Sequence, residues 1–247
     1  MSFENFLRGR LRHALTNEEL EVLESLVEST EYVSEQRTIL HRGDVVDYST
    51  ILIEGFALRT IRDHSGKRHV VGVQVSGDFA DLHAFALKRL DHNLVTVGGA
   101  TLGYVPHERL KNVLEEMPHL TRILWFSTLL DAAIHREWIW KLEQLNTEGC
   151  LAHLILEIWY RLDFVGLAEP SGFNFPLTQI DLADACGATA VHMNRTIRKM
   201  RSSGLMDINR GRVTLLDIPG LQELAKYDPT YLYGKGDLMV GHELDWS

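Results

Sequence analysis

The stretch from Leu177 to Leu216, LTQIDLADACGATAVHMNRTIRKMRSSGLMDINRGRVTLL, constrains the fold more than any other part of the chain. Thr178 is a helix-start residue, and Asp181 supplies a short version of the capping-box acid. Ile180, Leu182 and Ala183 are apolar and Ala185 is small, which predicts a short helix. Gly187 then marks a sharp turn. Thr189 offers a second N-cap, and Met193, Ile197 and Met200 recur at helical spacing. A short helix, a glycine turn and a longer helix make a helix-turn-helix, whose second helix suits a DNA major groove. Gly204 ends that helix. Leu205–Ile208 reads as a strand, Asn209–Arg210–Gly211 as a tight turn and Arg212–Leu216 as the returning strand, so a wing follows.

The charge pattern agrees. The whole chain carries a formal charge of -9, yet from His192 to Arg212 six cations (Arg195, Arg198, Lys199, Arg201, Arg210, Arg212) face a single acid, Asp207. A phosphate backbone favours such an island, because each neutralised phosphate releases counterions. An amphipathic helix with a solvated basic face would look similar by charge alone; the two caps and the glycine turn favour the DNA reading.

Elsewhere, composition narrows the class. Apolar residues make up 45% and charged residues 24% of the 247 positions, values of a water-soluble globular protein with room for one large domain or two ordinary ones. No run approaches the roughly 18 apolar residues of a membrane span. The first 26 residues lack the apolar core and cleavage site of a secretory signal; Leu20, Leu23, Leu26 and Val27 instead suggest an amphipathic helix. The two cysteines, Cys150 and Cys186, imply a reducing cytoplasm and are too few for a four-cysteine iron–sulfur cluster.

Residues 30–115 read as many short strands separated by turn signals: Gly43–Asp44, Glu54–Gly55, His64–Ser65–Gly66, Ser76–Gly77–Asp78 and Gly98–Gly99. That punctuation predicts an antiparallel barrel or roll. A short helix is expected near Leu82–Leu90. From Pro118 a long helix carries Leu120, Ile123, Ser127, Leu130, Ile134, Trp138, Leu142 and Leu145 at steps of three or four. One stripe of this length predicts a dimer seam, with a core helix lying across its own roll as the competing reading. Asn146–Gly149 is the expected hinge, and Leu151–Leu162 a further helix. The fold class expected is therefore α+β: an N-terminal antiparallel, jelly-roll-like β-roll over 1–117, a dimerisation helix over 118–146, and a winged helix-turn-helix with a C-terminal tail over 147–247.

This order of parts resembles the Crp/Fnr family of bacterial transcription regulators, and the resemblance covers about Leu20 to Leu232. Its most specific stretches are EGFALRTIRDHSGKRHVVGVQVSGDF in the roll and LTQIDLADACGATAVHMNRTIRKM in the helix-turn-helix; LDIPGLQELAKYDPTYL resembles the tail of part of the family. The resemblance implies a homodimer on a two-fold-related double-stranded DNA site, a sensory, cyclic-nucleotide-binding-like roll, and RNA polymerase as a further partner, in the cytoplasm and with no membrane association. It places Ala190, Val191 and Arg195 at the base-reading positions. Thr178, Gln179, Thr189 and His192 fall at phosphate positions, Arg210 and Arg212 on the wing, and Asn194, Arg198 and Lys199 complete the candidate face. Many members have Glu where Val191 stands; Val offers only apolar contact, for example to a thymine methyl, whereas Arg195 keeps the bidentate donor for guanine.

The roll departs from the pattern. Cyclic-nucleotide-binding members carry a Gly–Glu pair after the Gly-Asp-Phe turn and an Arg–Ser or Arg–Thr pair beyond it. Here Gly77–Asp78–Phe79 leads into Ala80–Asp81–Leu82–His83, and the phosphate position falls near Leu90–Asp91–His92–Asn93. Asp91 would repel a phosphate, despite Arg89 nearby. Cyclic AMP in the usual manner is not expected. Gly77, Asp78, Leu82, His83, Arg89, Asp91 and His92 remain as a candidate pocket for an unidentified small-molecule effector. The oxygen-sensing branch has an N-terminal cysteine cluster, and no cysteine precedes Cys150.

Other chemistry finds little support. His64 and His69 lack the His-x-His and downstream Glu of roll enzymes. His83 and His92 bracket the helical insert and would suit a transition metal or haem if they met in space, but surface or hydrogen-bonded histidines are the expectation, and no cofactor, metal or catalytic residue is assigned. His135–Arg136–Glu137 lacks the second histidine of a zinc protease. Trp125, Trp138, Trp140 and Trp159 fit core or seam. The expected function is a dimeric DNA-binding regulator and not an enzyme; the alternative is a small-molecule-binding or metal-dependent roll enzyme with an appended helical module.

Overall fold

A computed structural model describes residues 1–234; the rest of the expected C-terminal tail lies outside the described residues. Helix α1 (Asn17–Leu26) begins with a complete capping box between Thr16 and Glu19 and buries Leu23 and Leu26. The roll follows as five antiparallel strands: β1 (Ser29–Val33), β2 (Thr38–Leu40), β3 (Tyr48–Arg62), β4 (Arg68–Val75) and β5 (Asn93–Pro106). Their order is β1-β5-β3-β4, with β2 also on β5.

Two expected turns are strand interiors instead. Gly55 and Gly98, with φ of +91° and +66°, sit inside β3 and β5 where the register shifts. A Cβ on Gly55 would stand 2.5 Å from the Gly99 carbonyl oxygen, so glycine lets two long strands bend past each other without breaking. The sequence cannot distinguish a bend from a reversal, because both need positive φ. The short helix α2 (Ala84–Leu87) interrupts the roll between β4 and β5 as expected.

Helix α3 (His107–Glu116) leads into α4 (Pro118–Gln144), the long helix, with Pro at its first position. The expected seam requires correction here. Leu120, Ile123, Leu130, Ile134 and Trp138 are buried within their own chain, and Ser127 and Leu145 are half-buried. Only Leu142 of the eight is well exposed, at 46%, beside a second apolar set formed by Trp125 (63%), Leu129 (51%) and Ile139 (66%). The helix carries two apolar stripes, and periodicity alone does not say which meets its own core. The larger, unbroken stripe packs inward, where more area is gained.

At Asn146 the chain starts a new helix, α5 (Thr147–Phe164), with the Asn146 side chain accepting from the Gly149 amide. Next come β6 (Gly172–Asn174), α6 (Gln179–Ala185), α7 (Ala190–Ser202), β7 (Met206–Asn209), β8 (Arg212–Leu215) and α8 (Ile218–Ala225). Strand β6 pairs with β8 and completes a three-stranded wing sheet that the sequence showed only as a hairpin. The larger of two hydrophobic clusters runs from Phe3 and Phe6 through Val73 and Ile123 to Leu154, Met193 and Leu232, and the second fills the roll around Leu52, Leu94 and Leu102.

Candidate nucleic-acid interface and effector pocket

The helix-turn-helix forms for the reasons its sequence suggests. Thr178 and Asp181 make a reciprocal capping box at α6, and Thr189 accepts from the His192 amide at α7. Gly187 supplies φ of +63° between the two helices. Leu182, Met193, Ile197 and Met200 bury one face. The opposite face presents Thr178, Gln179, Thr189, Ala190, Val191, His192, Arg195, Arg198 and Lys199 to solvent, with Asn194 half-buried. Asn194 donates to the Gln179 side-chain oxygen at 2.8 Å, which ties the start of α6 to α7. At the wing tip Arg210 and Gly211 both take positive φ, +49° and +75°, the geometry of a tight hairpin turn.

The cations are not equivalent. Lys199 pairs with Glu148 and Arg212 with Glu169, each at 2.6 Å, and Arg201 pairs with Asp207. Arg195, Arg198 and Arg210 have no ion pair or side-chain hydrogen bond among the described residues. Three guanidinium groups therefore project from one surface with their donors free.

The candidate effector residues divide between two places. Leu82, His83, Asp91 and His92 line a cavity of ≈ 530 Å³, closed on its other side by Ser127, Thr128, Asp131, Ala132 and His135 of α4. Gly77, Asp78 and Arg89 do not join them. Gly77 packs against Asn5; Asp78 accepts from the Val75 amide and the Arg161 guanidinium; Arg89 donates to the Gly43 carbonyl at the surface. Asp78 and Arg89 already have partners, which turning toward the cavity would break, and Gly77 has no side chain to offer. Sequence reading missed Arg59, which lines this cavity from β3 yet is itself buried. Arg59 donates to both Asp131 oxygens, at 2.7 and 2.6 Å, and to the Ala80 carbonyl. Its partner lies 72 positions away, beyond any local signal.

The three groups His83, Asp91 and His92 do meet. Asp91 Oδ1 stands 2.6 Å from His92 Nδ1 and 3.7 Å from His83 Nε2. Burial, followed by the Arg59 charge, pushes His92 down to about 4, and the same causes lower His83. His64 is exposed; His69 is half-exposed and pairs with Asp63. Trp138 is core, donating to Glu157, whereas Trp125 is exposed. Cys150 and Cys186 are free and buried; burial pushes Cys186 up to about 12 and Cys150 upward, so both are held as thiols.

This is the surface and scaffold of a DNA-binding winged helix-turn-helix regulator. Residues 151–224 match the Crp-like helix-turn-helix domain. The chain is 26% identical over 218 residues to the transcriptional activator protein FnrL of Cereibacter sphaeroides, covering 86% of each chain. Its fold is similar to that of FixK2 from Bradyrhizobium japonicum, with TM-score 0.72 and 16% identity over 79% of this chain and 96% of that one. It is also similar in fold to a CRP-family transcriptional regulator from Thermus thermophilus, with TM-score 0.65 and 16% identity over 80% and 97%. The chain is thus similar over most of its length to transcription regulators of the Crp/Fnr family, and its residues 151–224 carry the Crp-like helix-turn-helix. Among the described residues no helix is long and apolar enough to cross a membrane.

Proposed function

We propose that the chain acts as a homodimer on a palindromic DNA site, with α7 in the major groove and the wing on the adjacent backbone. The exposed face of α7, with Arg195 unpaired among the described residues, is the observation that carries this reading. Arg195 offers a bidentate donor to a guanine edge, while Val191 and Ala190 offer apolar surface to a thymine methyl. Thr178, Gln179, Thr189 and His192 meet phosphates, and Arg198 and Arg210 add counterion-releasing contacts. Lys199 and Arg212 contribute only if DNA phosphates displace Glu148 and Glu169. The three-part division at 118 and 147 is kept as a functional one: sensory roll, dimerisation helix, DNA-binding part. The cytoplasm, with RNA polymerase as a downstream partner, completes the assignment.

Control by cyclic AMP is not part of the proposal. Arg59, the guanidinium on the cavity wall, already donates to Asp131 and a backbone carbonyl, and Asp91 adds a carboxylate where a phosphate would need a donor. Isothermal titration with cyclic AMP should give no saturable heat, and the nucleotide should leave DNA affinity unchanged. Micromolar binding with a gain in DNA affinity would refute this part.

The main test is a binding series on DNA selected from a random pool. Affinity should fall steeply with salt, and Arg195→Ala should cost about 1–3 kcal/mol while relaxing preference at one base pair per half-site. Undiminished affinity and preference in the variant, at matched salt, would remove α7 from the groove.

A further inference from the structure

We propose that His83, Asp91 and His92 form a binding site for a divalent first-row transition-metal ion, set in the wall of the cavity between the roll and α4. One ligand atom from each of the three residues lies within 4.8 Å of the others. Ligands held about 2.1 Å from a single ion stand roughly 3–4 Å apart, so ion binding needs only small side-chain rotations. The chain brings them together economically. His83 precedes α2, Asp91 and His92 follow it, and α2 with its left-handed cap at Lys88 reverses the path between them.

Two further observations point to a ligand. The Nε2 atoms of His83 and His92 are buried without a hydrogen-bond partner, and the His92 side chain is only 5% exposed. A buried polar atom left unpaired opposes folding, and such atoms are few in native proteins. Charge also favours a cation. Asp91 has no lysine or arginine partner among the described residues, and Arg59, the cation on the cavity wall, is neutralised by Asp131.

The donor set selects the ion class. Two imidazoles and one carboxylate suit Zn²⁺, Co²⁺, Ni²⁺ or Fe²⁺ over the oxygen-preferring Ca²⁺ and Mg²⁺. Three protein ligands leave a coordination position open toward the cavity, where Thr128 and His135 of α4 form the opposite wall. His135 Nδ1 is engaged by the Asp131 carbonyl at 2.8 Å, which orients the ring on the helix. The ion would thus sit at the junction of the roll and α4, the helix that carries the exposed apolar stripe.

The test uses the untagged full-length chain, stripped with chelator and titrated with Co²⁺ and then Zn²⁺. The expected result is one ion per chain, with a dissociation constant of about 10 µM or tighter. Co²⁺ visible absorption should lose intensity on displacement by Zn²⁺. His83→Gln and Asp91→Asn, one partly exposed and one on the surface, should each weaken binding by about 10–100-fold or more while leaving the circular-dichroism melt in place. His69→Gln, at the surface pair with Asp63, should bind as the parent does. No saturable binding below about 100 µM would overturn the site. So would one-to-one binding that neither His83→Gln nor Asp91→Asn weakens, since the ion would then lie elsewhere. Neither readout involves DNA, so failure here leaves the DNA-binding reading untouched.

Discussion

At the scale of single residues, the most consequential group is one that binds no ligand. Glu157 on α5 is fully buried and accepts from Trp138 of α4, Arg161 of the next turn and the Tyr231 hydroxyl. Arg161, itself buried, also donates to the Val73 carbonyl at 2.9 Å and to Asp78 in the roll. Removing one member of such a set strands a buried charge. Arg161→Met should therefore lower unfolding free energy by about 3–5 kcal/mol, and adding Glu157→Gln should return part of the loss. Chemical denaturation of the single and double variants measures both steps. An additive double variant would mean that the two charges do not depend on each other. None of this was legible in the sequence. A glutamate and an arginine four apart on a helix look like an exposed pair, and burial of both depends on partners more than 70 positions away.

His153, also on α5, gives a pH signature. It is 1% exposed, edge-on to Tyr227 and stacked with Tyr231, and faces Glu137 at 3.8 Å, with Lys141 and Glu157 nearby. Burial first, and then the Lys141 charge, push it down to about 4 from an ordinary 6.5. The folded protein keeps the ring neutral while the unfolded chain protonates it, so His153 stabilises fully above pH 6.5. That contribution is lost as pH falls from 6.5 toward 4, up to roughly 3 kcal/mol. Replacing it by Phe should flatten the loss of stability across this window. Denaturation midpoints at pH 7, 6, 5 and 4 decide the matter, and parallel profiles for the two proteins would count against it.

At the scale of elements, α6, α7 and the wing were legible because local chemistry specifies them. Caps at Thr178 and Thr189, positive φ at Gly187 and the Arg210–Gly211 turn are all properties of neighbouring residues. The long helix was legible as a helix and not as a face. Its two stripes lie on nearly opposite sides of the helix, and only tertiary packing chose between them. The dimer reading therefore rests on Trp125, Leu129, Ile139 and Leu142, the apolar residues of α4 left in solvent. Exposed apolar side chains of that kind are costly unless covered, and a second copy of α4 would cover them symmetrically. Ile139→Glu places a charge in that seam twice over. It should yield a monomer by sedimentation, with an unchanged circular-dichroism spectrum and much weaker operator binding. Ile134→Glu, by contrast, should unfold the chain, since Ile134 faces its own core. A variant Ile139→Glu that stays dimeric would move the seam elsewhere.

At the scale of the whole molecule, the parts are sewn together more tightly than their sequence boundaries suggest. Arg68 on β4 pairs with Asp181 at 2.6 Å and Asp184 at 2.8 Å, so the roll holds the first helix of the helix-turn-helix directly. Arg161 joins α5 to the roll, and the N-terminal segment reaches the far end of the chain through Arg10, whose Nε donates to the Leu232 carbonyl at 2.8 Å. Phe3, Phe6 and Leu11 from that segment are buried in the same core as Leu154 and Leu232. A shared core makes unfolding of one part costly to the others, because each would expose apolar surface on its neighbour. Calorimetry should therefore show one endotherm, with calorimetric and van't Hoff enthalpies in the ratio expected for a single cooperative unit. If the native state is the dimer, its midpoint should also rise with protein concentration by mass action. Arg68→Ala tests the coupling more finely. Arg68 is partly exposed but Asp181 is only 2% exposed, so losing both ion pairs strands a buried carboxylate and should lower stability while freeing α6 from the roll. The expected result is a lowered melt together with faster amide exchange that is greatest in α6 and α7. Two separated endotherms in the parent protein would show instead that roll and helix-turn-helix fold independently, and that any signal from the roll to α7 must pass through α4 and α5 alone.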